Sequence, residues 1–288
     1  MPDTATPASA TTTAPLPEGT VQAPINFMLH AQAEKPRVLM SADHAVANER
    51  LGKFQTVALP ILDGRGLTPP AGLDAEGFAL TAFPTAVTDF LDEDQITGVY
   101  YPEIIELLKR ETGAADVHIF DHTVRIQDDA KRQAAARRLP VLVAHNDYTE
   151  KSGPKRVRDV MDADNAERFL GNRFAMINVW RSIGESADRT PLAMADGRTL
   201  TAEDYIATDL VYENRVGEIY QNAHSAGQRW YWYPGMTRDE AVLLKCFDTA
   251  TDGRTRYTAH SAFENPAAPA NTPPRESIEV RTMVRFAS

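Results

Sequence analysis

The stretch RLPVLVAHNDYTEKSG occupies residues 138–153. Its apolar run, residues 141–144, leads straight into His145, Asn146 and Asp147. Alternate side chains of an extended strand share a face, so His145 and Asp147 point the same way and can both reach one cation. Neutral imidazole plus carboxylate suits divalent iron. A second histidine would complete a facial triad with three open coordination positions.

The punctuation around this stretch sets the fold class. Beyond Pro140 short β-type runs recur: FAMINVWRSI, PLAMAD, ATDLVYEN, GEIYQNAH, QRWYWYPGM, AVLLKCFDT, TRYTAHSAF and ESIEVRTMVRF. Gly, Pro, Asn or Asp separates most of them, which argues an antiparallel sandwich or barrel rather than a βαβ sheet. Upstream, INFML, KPRVLM, FQTVALPIL and DVHIFDHTVRI also read as strands. A helix is predicted over residues 102–111. Ile104, Ile105, Leu107 and Leu108 form its apolar stripe, with Pro102 at its start and Gly113 just past its end. Residues 1–24, rich in Ala, Thr and Pro, hold too few large apolar groups to offset ordering entropy and are expected to form a flexible tail.

Composition narrows the function. With 288 residues and 43% hydrophobic content the chain can build one large core. Its net charge is -10, and no clustered Lys and Arg of a phosphate-tracking surface is evident, which speaks against nucleic acid. The basic run AKRQAAARR, residues 130–138, follows Asp128 and Asp129 and reads as a solvated helix face. The single cysteine, Cys246, precludes an intrachain disulfide and fits a reducing cytoplasm. Any metal must then be held by nitrogen and oxygen. No apolar run approaches the ~20 residues that span a bilayer, and no signal-peptide pattern opens the chain. Nothing marks an interface, so a homo-oligomer stays open.

Seven histidines compete for the third ligand position. His30, His44 and His224 lie where no strand faces the site. His118 and His122 are four apart, a spacing that suits a helix, whereas their run looks like a strand. His260 sits near the end of a late strand, 115 positions after His145 and 15 before Arg275. Both separations suit a barrel whose early and late strands are neighbours, so His260 is favoured. The last run, PRESIEVRTMVRF, puts Arg275, Ser277, Glu279 and Arg281 on one face and Ile278 and Val280 on the other. An arginine inside a barrel needs an acceptor, and a small dicarboxylate cosubstrate would supply one bidentate. The bland alternative is an edge strand with a solvated charged face. Two other classes remain: a non-enzymatic or zinc-stabilised jelly-roll binding protein, and a methyltransferase-type enzyme. The second lacks a Gly-x-Gly-x-x-Gly turn in LGKFQTVALPILDGRGLTPPAG.

His-x-Asp, a distant His, then Arg-x-Ser resembles the Fe(II)/2-oxoglutarate-dependent dioxygenases. The nearer likeness is to the CmcJ/AsaB-like hydroxylase/desaturase family of secondary metabolism. It rests on HNDYT, MINVWRSI, PLAMAD, TDLVYENRVGEIY, QRWYWYPGM, LLKCFDT, RYTAHSAFENP and PRESIEVR, and covers residues 140–286, extended weakly upstream by NFMLH and VHIFDHTVR. The chain departs from that family at Ser182, where the pattern has proline after Arg181.

The resemblance implies a mainly β fold with flanking helices and a double-stranded β-helix core, jelly-roll and cupin-like. The domain expected is a single catalytic unit, residues 25–288, with a helix-bearing part over 25–135 and the jelly-roll core over 136–288. It implies Fe(II) on His145, Asp147 and His260, with 2-oxoglutarate and O2 as cosubstrates. Arg275 would pair with the distal carboxylate of 2-oxoglutarate, assisted by Ser277. Arg281 would share it only by leaning inward, since six residues of strand span roughly 20 Å. Asn178 and Arg181 are candidates for cosubstrate or substrate, as are Tyr148, Trp180, Tyr231 and Lys245. The implied reaction couples decarboxylation of 2-oxoglutarate to hydrogen abstraction, ending in hydroxylation, desaturation or cyclisation. Halogenases of this fold carry a small residue in place of the carboxylate, so Asp147 speaks against chlorination. The acidic surface disfavours polyanionic substrates, and the barrel aromatics allow an apolar, polycyclic or peptide-derived metabolite.

Overall fold

The structure, a computed structural model, describes residues 17–42 and 47–287. Residues 1–16 of the expected tail and His44 lie outside that set. The strands in chain order are β1 (Val21–Met28), β2 (Arg37–Leu39), β3 (Glu49–Leu51), β4 (Phe54–Asp63), β5 (Phe78–Ala82), β6 (Asp116–Ile126) and β7 (His145–Asn146). After them come β8 (Phe174–Ser182), β9 (Leu192–Ala195), β10 (Tyr205–Val211), β11 (Val216–Asn222), β12 (Trp230–Trp232), β13 (Glu240–Asp248), β14 (His260–Ala262) and β15 (Glu276–Arg285). The tail boundary is corrected by β1, which starts at Val21. Val21, Ala23, Ile25 and Phe27 alternate into a buried face, and β1 pairs with β4 along its whole length.

Two sheets result. The larger runs β1-β4-β12-β9-β14-β7-β11-β10-β2-β3, and the smaller runs β5-β13-β8-β15-β6. Strands drawn from residues 25–135 take part in both. Met176 and Trp180 of β8 and Val242 and Leu244 of β13 share one apolar cluster with Met194 of β9 and Tyr231 of β12. The sheets therefore face each other across a core, giving a mainly β jelly roll with flanking helices. Each such side chain contributes about 1.5–3 kcal/mol by leaving water.

The opposite face of the smaller sheet is covered by the helix Tyr101–Thr112. Ile104, Leu107 and Leu108 are buried against Ile177, Val179, Ile278 and Val280. The helix stops at Gly113, whose φ of 70° places it in the left-handed region while its N–H donates to the Lys109 carbonyl. Leu107→Ala should lower the unfolding free energy by about 2–5 kcal/mol, read as a shifted urea midpoint.

The run around the His-x-Asp differs from the expected strand. Only His145 and Asn146 pair regularly. Pro140 has no N–H to give a ladder, and the next residues bond irregularly to both sides. Val143 bridges Asn26 of β1, and the Ala262 N–H donates to the Val141 carbonyl at 2.8 Å.

Candidate active site

β7 lies between β14 and β11, which brings His145 directly opposite His260. Their ring centroids are 4.5 Å apart. Asp147 follows the strand end, with Oδ1 3.5 Å from His145 Nε2. One donor atom from each of the three residues lies within 4.8 Å of the others.

The surroundings prepare each donor. His145 Nδ1 donates to the Val143 carbonyl at 2.7 Å, which leaves Nε2 with its lone pair. Burial, and then the adjacent His260, push the His145 imidazole down to about 3, so it is neutral at physiological pH. The buried His260 Nδ1 has no hydrogen-bond partner among the described residues. Burial alone would raise the Asp147 carboxyl. Arg281, the two imidazoles and Asn178 outweigh it and hold that carboxyl well below the usual range. Asn178 Nδ2 donates to Asp147 Oδ2 at 2.8 Å, and Arg281 Nε donates to the same oxygen at 3.3 Å. Both supports use Oδ2, so Oδ1 is left facing His145. Two imidazoles, one carboxylate and an orphaned buried nitrogen fit a divalent cation.

β15 supplies the rest of the polar face. Arg281 also bonds Asp121 Oδ2 at 3.0 Å, Thr123 Oγ1 at 2.9 Å and Glu279 Oε1 at 2.5 Å. Arg275 is only 2% exposed. Its Nη1 donates to the Thr190 carbonyl at 2.8 Å, its Nε to Ser277 Oγ at 3.2 Å, and its guanidinium lies 5.3 Å from the Trp180 ring centre. Among the described residues it has no carboxylate at ion-pair distance. Burial and nearby Arg125 lower its pKa to about 9.

Strand parity separates the remaining candidates. On β8, Asn178 and Trp180 pair with Arg281 and Glu279 and face the site. Arg181 pairs with Ile278 and faces the helix layer. It is fully buried there, near Phe83, Phe90 and Tyr100, with Nη2 donating to the Phe83 carbonyl at 2.9 Å. Its expected site role is corrected accordingly. Lys245 is likewise away from the triad: Nζ bonds Asp74 at 2.6 Å and Asp248 at 3.2 Å, closing a structural ion network. Tyr231 packs in the core near Phe78 and Tyr233 and does not line the cavity. Tyr148 does line it.

That cavity, about 580 Å³, opens beside His145, Asp147 and Arg281. Its wall includes residues the sequence reading passed over: Arg50, Arg125, Arg137 and Arg138. One signal was available. Asp121, Thr123 and Arg125 are polar at every second position of β6, and they pair with Arg281, Glu279 and Ser277.

Comparison with known proteins bears on the family and the fold. A family model described as an oxidoreductase/YMDC permease-like domain matches residues 25–285. No helix among the described residues is long and apolar enough to cross a membrane. The chain is 32% identical to hydroxylase/desaturase efuI of Hormonema carpetanum over 264 residues, 84% of this chain and 88% of that protein. It is 33% identical to the Fe(II)/2-oxoglutarate-dependent dioxygenase nvfI of Aspergillus novofumigatus over 195 residues, 67% of this chain and 68% of that one. The solved structure of the iron and alpha-ketoglutarate-dependent endoperoxidase NvfI superposes with a TM-score of 0.81 and 25% identity, covering 93% of this chain and 99% of that chain. The chain belongs to the Fe(II)/2-oxoglutarate-dependent dioxygenases, within the hydroxylase/desaturase family of secondary metabolism.

Proposed function

We propose that His145, Asp147 and His260 hold the Fe(II), and that Arg275 with Ser277 holds the distal carboxylate of 2-oxoglutarate. The observation that carries the metal assignment is the convergence of three donor atoms within 4.8 Å, with His145 neutral and Asp147 ionised. Bound together, Fe(II), 2-oxoglutarate and O2 supply an oxidant able to remove hydrogen from a C–H bond, with succinate and CO2 as coproducts.

The chain's own residues orient and shield that chemistry. The Val143 carbonyl fixes the His145 tautomer, and Asn178 with Arg281 fixes the Asp147 carboxylate. Arg281 is already taken by Asp147, Glu279 and Asp121, which favours Arg275, a buried cation with no anion of its own, as the cosubstrate anchor. A stabilising metal would need no such arginine. Asn178 is thus a positioning residue for Asp147. Asn178→Ala should weaken Fe(II) affinity about 10–100-fold, measured by anaerobic titration.

The substrate is a small-molecule metabolite. Hydroxylation and desaturation are the outcomes that the relatives' names give, and ring formation is a further outcome of the same hydrogen abstraction. The Asp147 carboxylate favours these over halogenation. A reducing cytoplasm suits the lone, buried Cys246. The test is anaerobic addition of Fe(II) and 2-oxoglutarate to the purified chain. A weak visible charge-transfer band, followed in air by succinate formation, is expected. Absence of both would overturn the proposal.

A further inference from the structure

The protein carries a net charge of -10, yet the cavity beside the triad is basic. Nine Lys and Arg line it against five Asp and Glu. Every one of those acids is already engaged. Asp121 and Asp147 pair with Arg281, Asp159 pairs with Lys155, and Asp209 and Glu218 pair with Lys35. Arg50, Arg125, Arg137 and Arg138 have no carboxylate at ion-pair distance among the described residues.

These four come from different parts of the fold. Arg50 is on β3 and Arg125 on β6. Arg137 and Arg138 follow the short helix Asp129–Ala134, where Ala136 at φ 49° turns the chain. The segment expected to be a solvated face therefore sends two of its arginines into the wall. All four are partly buried, and the buried Nε of Arg137 has no acceptor. Burial and neighbouring Arg125 bring Arg50 down to about 10, which marks crowding of like charges. Four partly desolvated guanidiniums in one wall are costly without an anion to share.

The cosubstrate does not supply that anion. A divalent iron and the dianion of 2-oxoglutarate cancel each other, so the basic excess of the wall remains. The same cavity offers apolar surface from Val38, Phe120, Val141 and Ile219. We propose that the substrate is an acid, with an apolar body against these side chains and a carboxylate held by the Arg50, Arg125, Arg137 and Arg138 cluster. The expectation drawn from overall charge, that polyanionic substrates are disfavoured, is narrowed here to a substrate carrying a single carboxylate. Guanidinium binds carboxylate bidentate, which fixes orientation as well as adding affinity. The inference rests on the iron and 2-oxoglutarate reading of the neighbouring triad.

The test uses full-length protein loaded with Fe(II) and saturating 2-oxoglutarate under argon. Phenylbutyrate and its neutral isostere phenylbutyramide are compared by equilibrium dialysis, while the visible band reports the cosubstrate. Wild type should bind the carboxylate about tenfold or more tighter than the amide. Arg50→Gln with Arg138→Gln should abolish that preference and leave the band saturating at the wild-type 2-oxoglutarate concentration. Arg50→Lys with Arg138→Lys should retain much of the preference. Equal binding of the two probes, no binding of the carboxylate, or a preference that survives in the Gln variant overturns the inference. So does loss of the band in the Gln variant, which would assign the cluster to 2-oxoglutarate. A wild-type protein without the band overturns the iron reading itself, and the inference falls with it.

Discussion

Replacing His260 with alanine is expected to abolish turnover and metal-dependent stabilisation together. The two histidines face each other as direct partners across β7 and β14, and among the described residues only Asp147 joins them in a group of three converging donors. Changing a group behind a ligand typically costs about 10–100-fold in metal affinity or activity, and removing the ligand itself should cost more than that. The fold should survive, because the imidazole leaves with a buried nitrogen that had no protein partner. Metal at 100 times its dissociation constant stabilises a native protein by about 2.7 kcal/mol. For a chain of 288 residues that corresponds to a rise in Tm of roughly 4–5 °C. Wild type should show this rise on addition of Fe(II) or the redox-inert Mn(II), and His260→Ala should not. A variant that kept both the thermal shift and 2-oxoglutarate turnover would remove His260 from the ligand set.

How much of this was readable depends on whether a strand has one wet face. The His-x-Asp spacing needed only period-two geometry, and the polar face of β15 carried its own contrast of Arg, Ser, Glu and Arg against Ile and Val. β8 and β13 offered no such contrast. β8 is buried along its full length, so Asn178 and Arg181 look equivalent in sequence although they point to opposite faces. Their parity alone forbids both from facing one site. Lys245 sits on the similarly buried β13, where a bulge between Lys245 and Phe247 also shifts the register. Its partners, Asp74 and Asp248, become visible only once the chain is folded. The cavity arginines were hidden for another reason. Arg50 lies 75 positions before Arg125, while Arg137 and Arg138 follow a helix that reads as solvated, and overall acidity masks a local basic excess.

Arg275→Met is expected to move stability and cosubstrate affinity in opposite directions. In the protein without 2-oxoglutarate, Arg275 is a buried cation with only neutral acceptors, the Thr190 carbonyl and Ser277 Oγ. An unpaired buried charge is costly to keep, so removing it offsets the loss of its hydrogen bonds to the Thr190 carbonyl and Ser277. Methionine also keeps a flexible contact against Trp180. The cosubstrate-free variant should therefore melt no lower than wild type. Affinity for 2-oxoglutarate should fall because its distal carboxylate loses a buried charge partner. Truncating one member of such a pair costs 2–5 kcal/mol, about 30-fold or more. The KM for 2-oxoglutarate should rise by that factor, while the Fe(II)-induced thermal shift, which depends on the triad, stays at its wild-type value. Arg275→Lys keeps the charge but not the fork, and should recover only part of the loss. Arg281→Met should behave differently, because Arg281 steadies Asp147: its loss should weaken Fe(II) binding as well as turnover. If Arg275→Met left the KM for 2-oxoglutarate unchanged while Arg281→Met raised it without affecting Fe(II), the anchor would be Arg281 and the assignments of the two arginines would exchange.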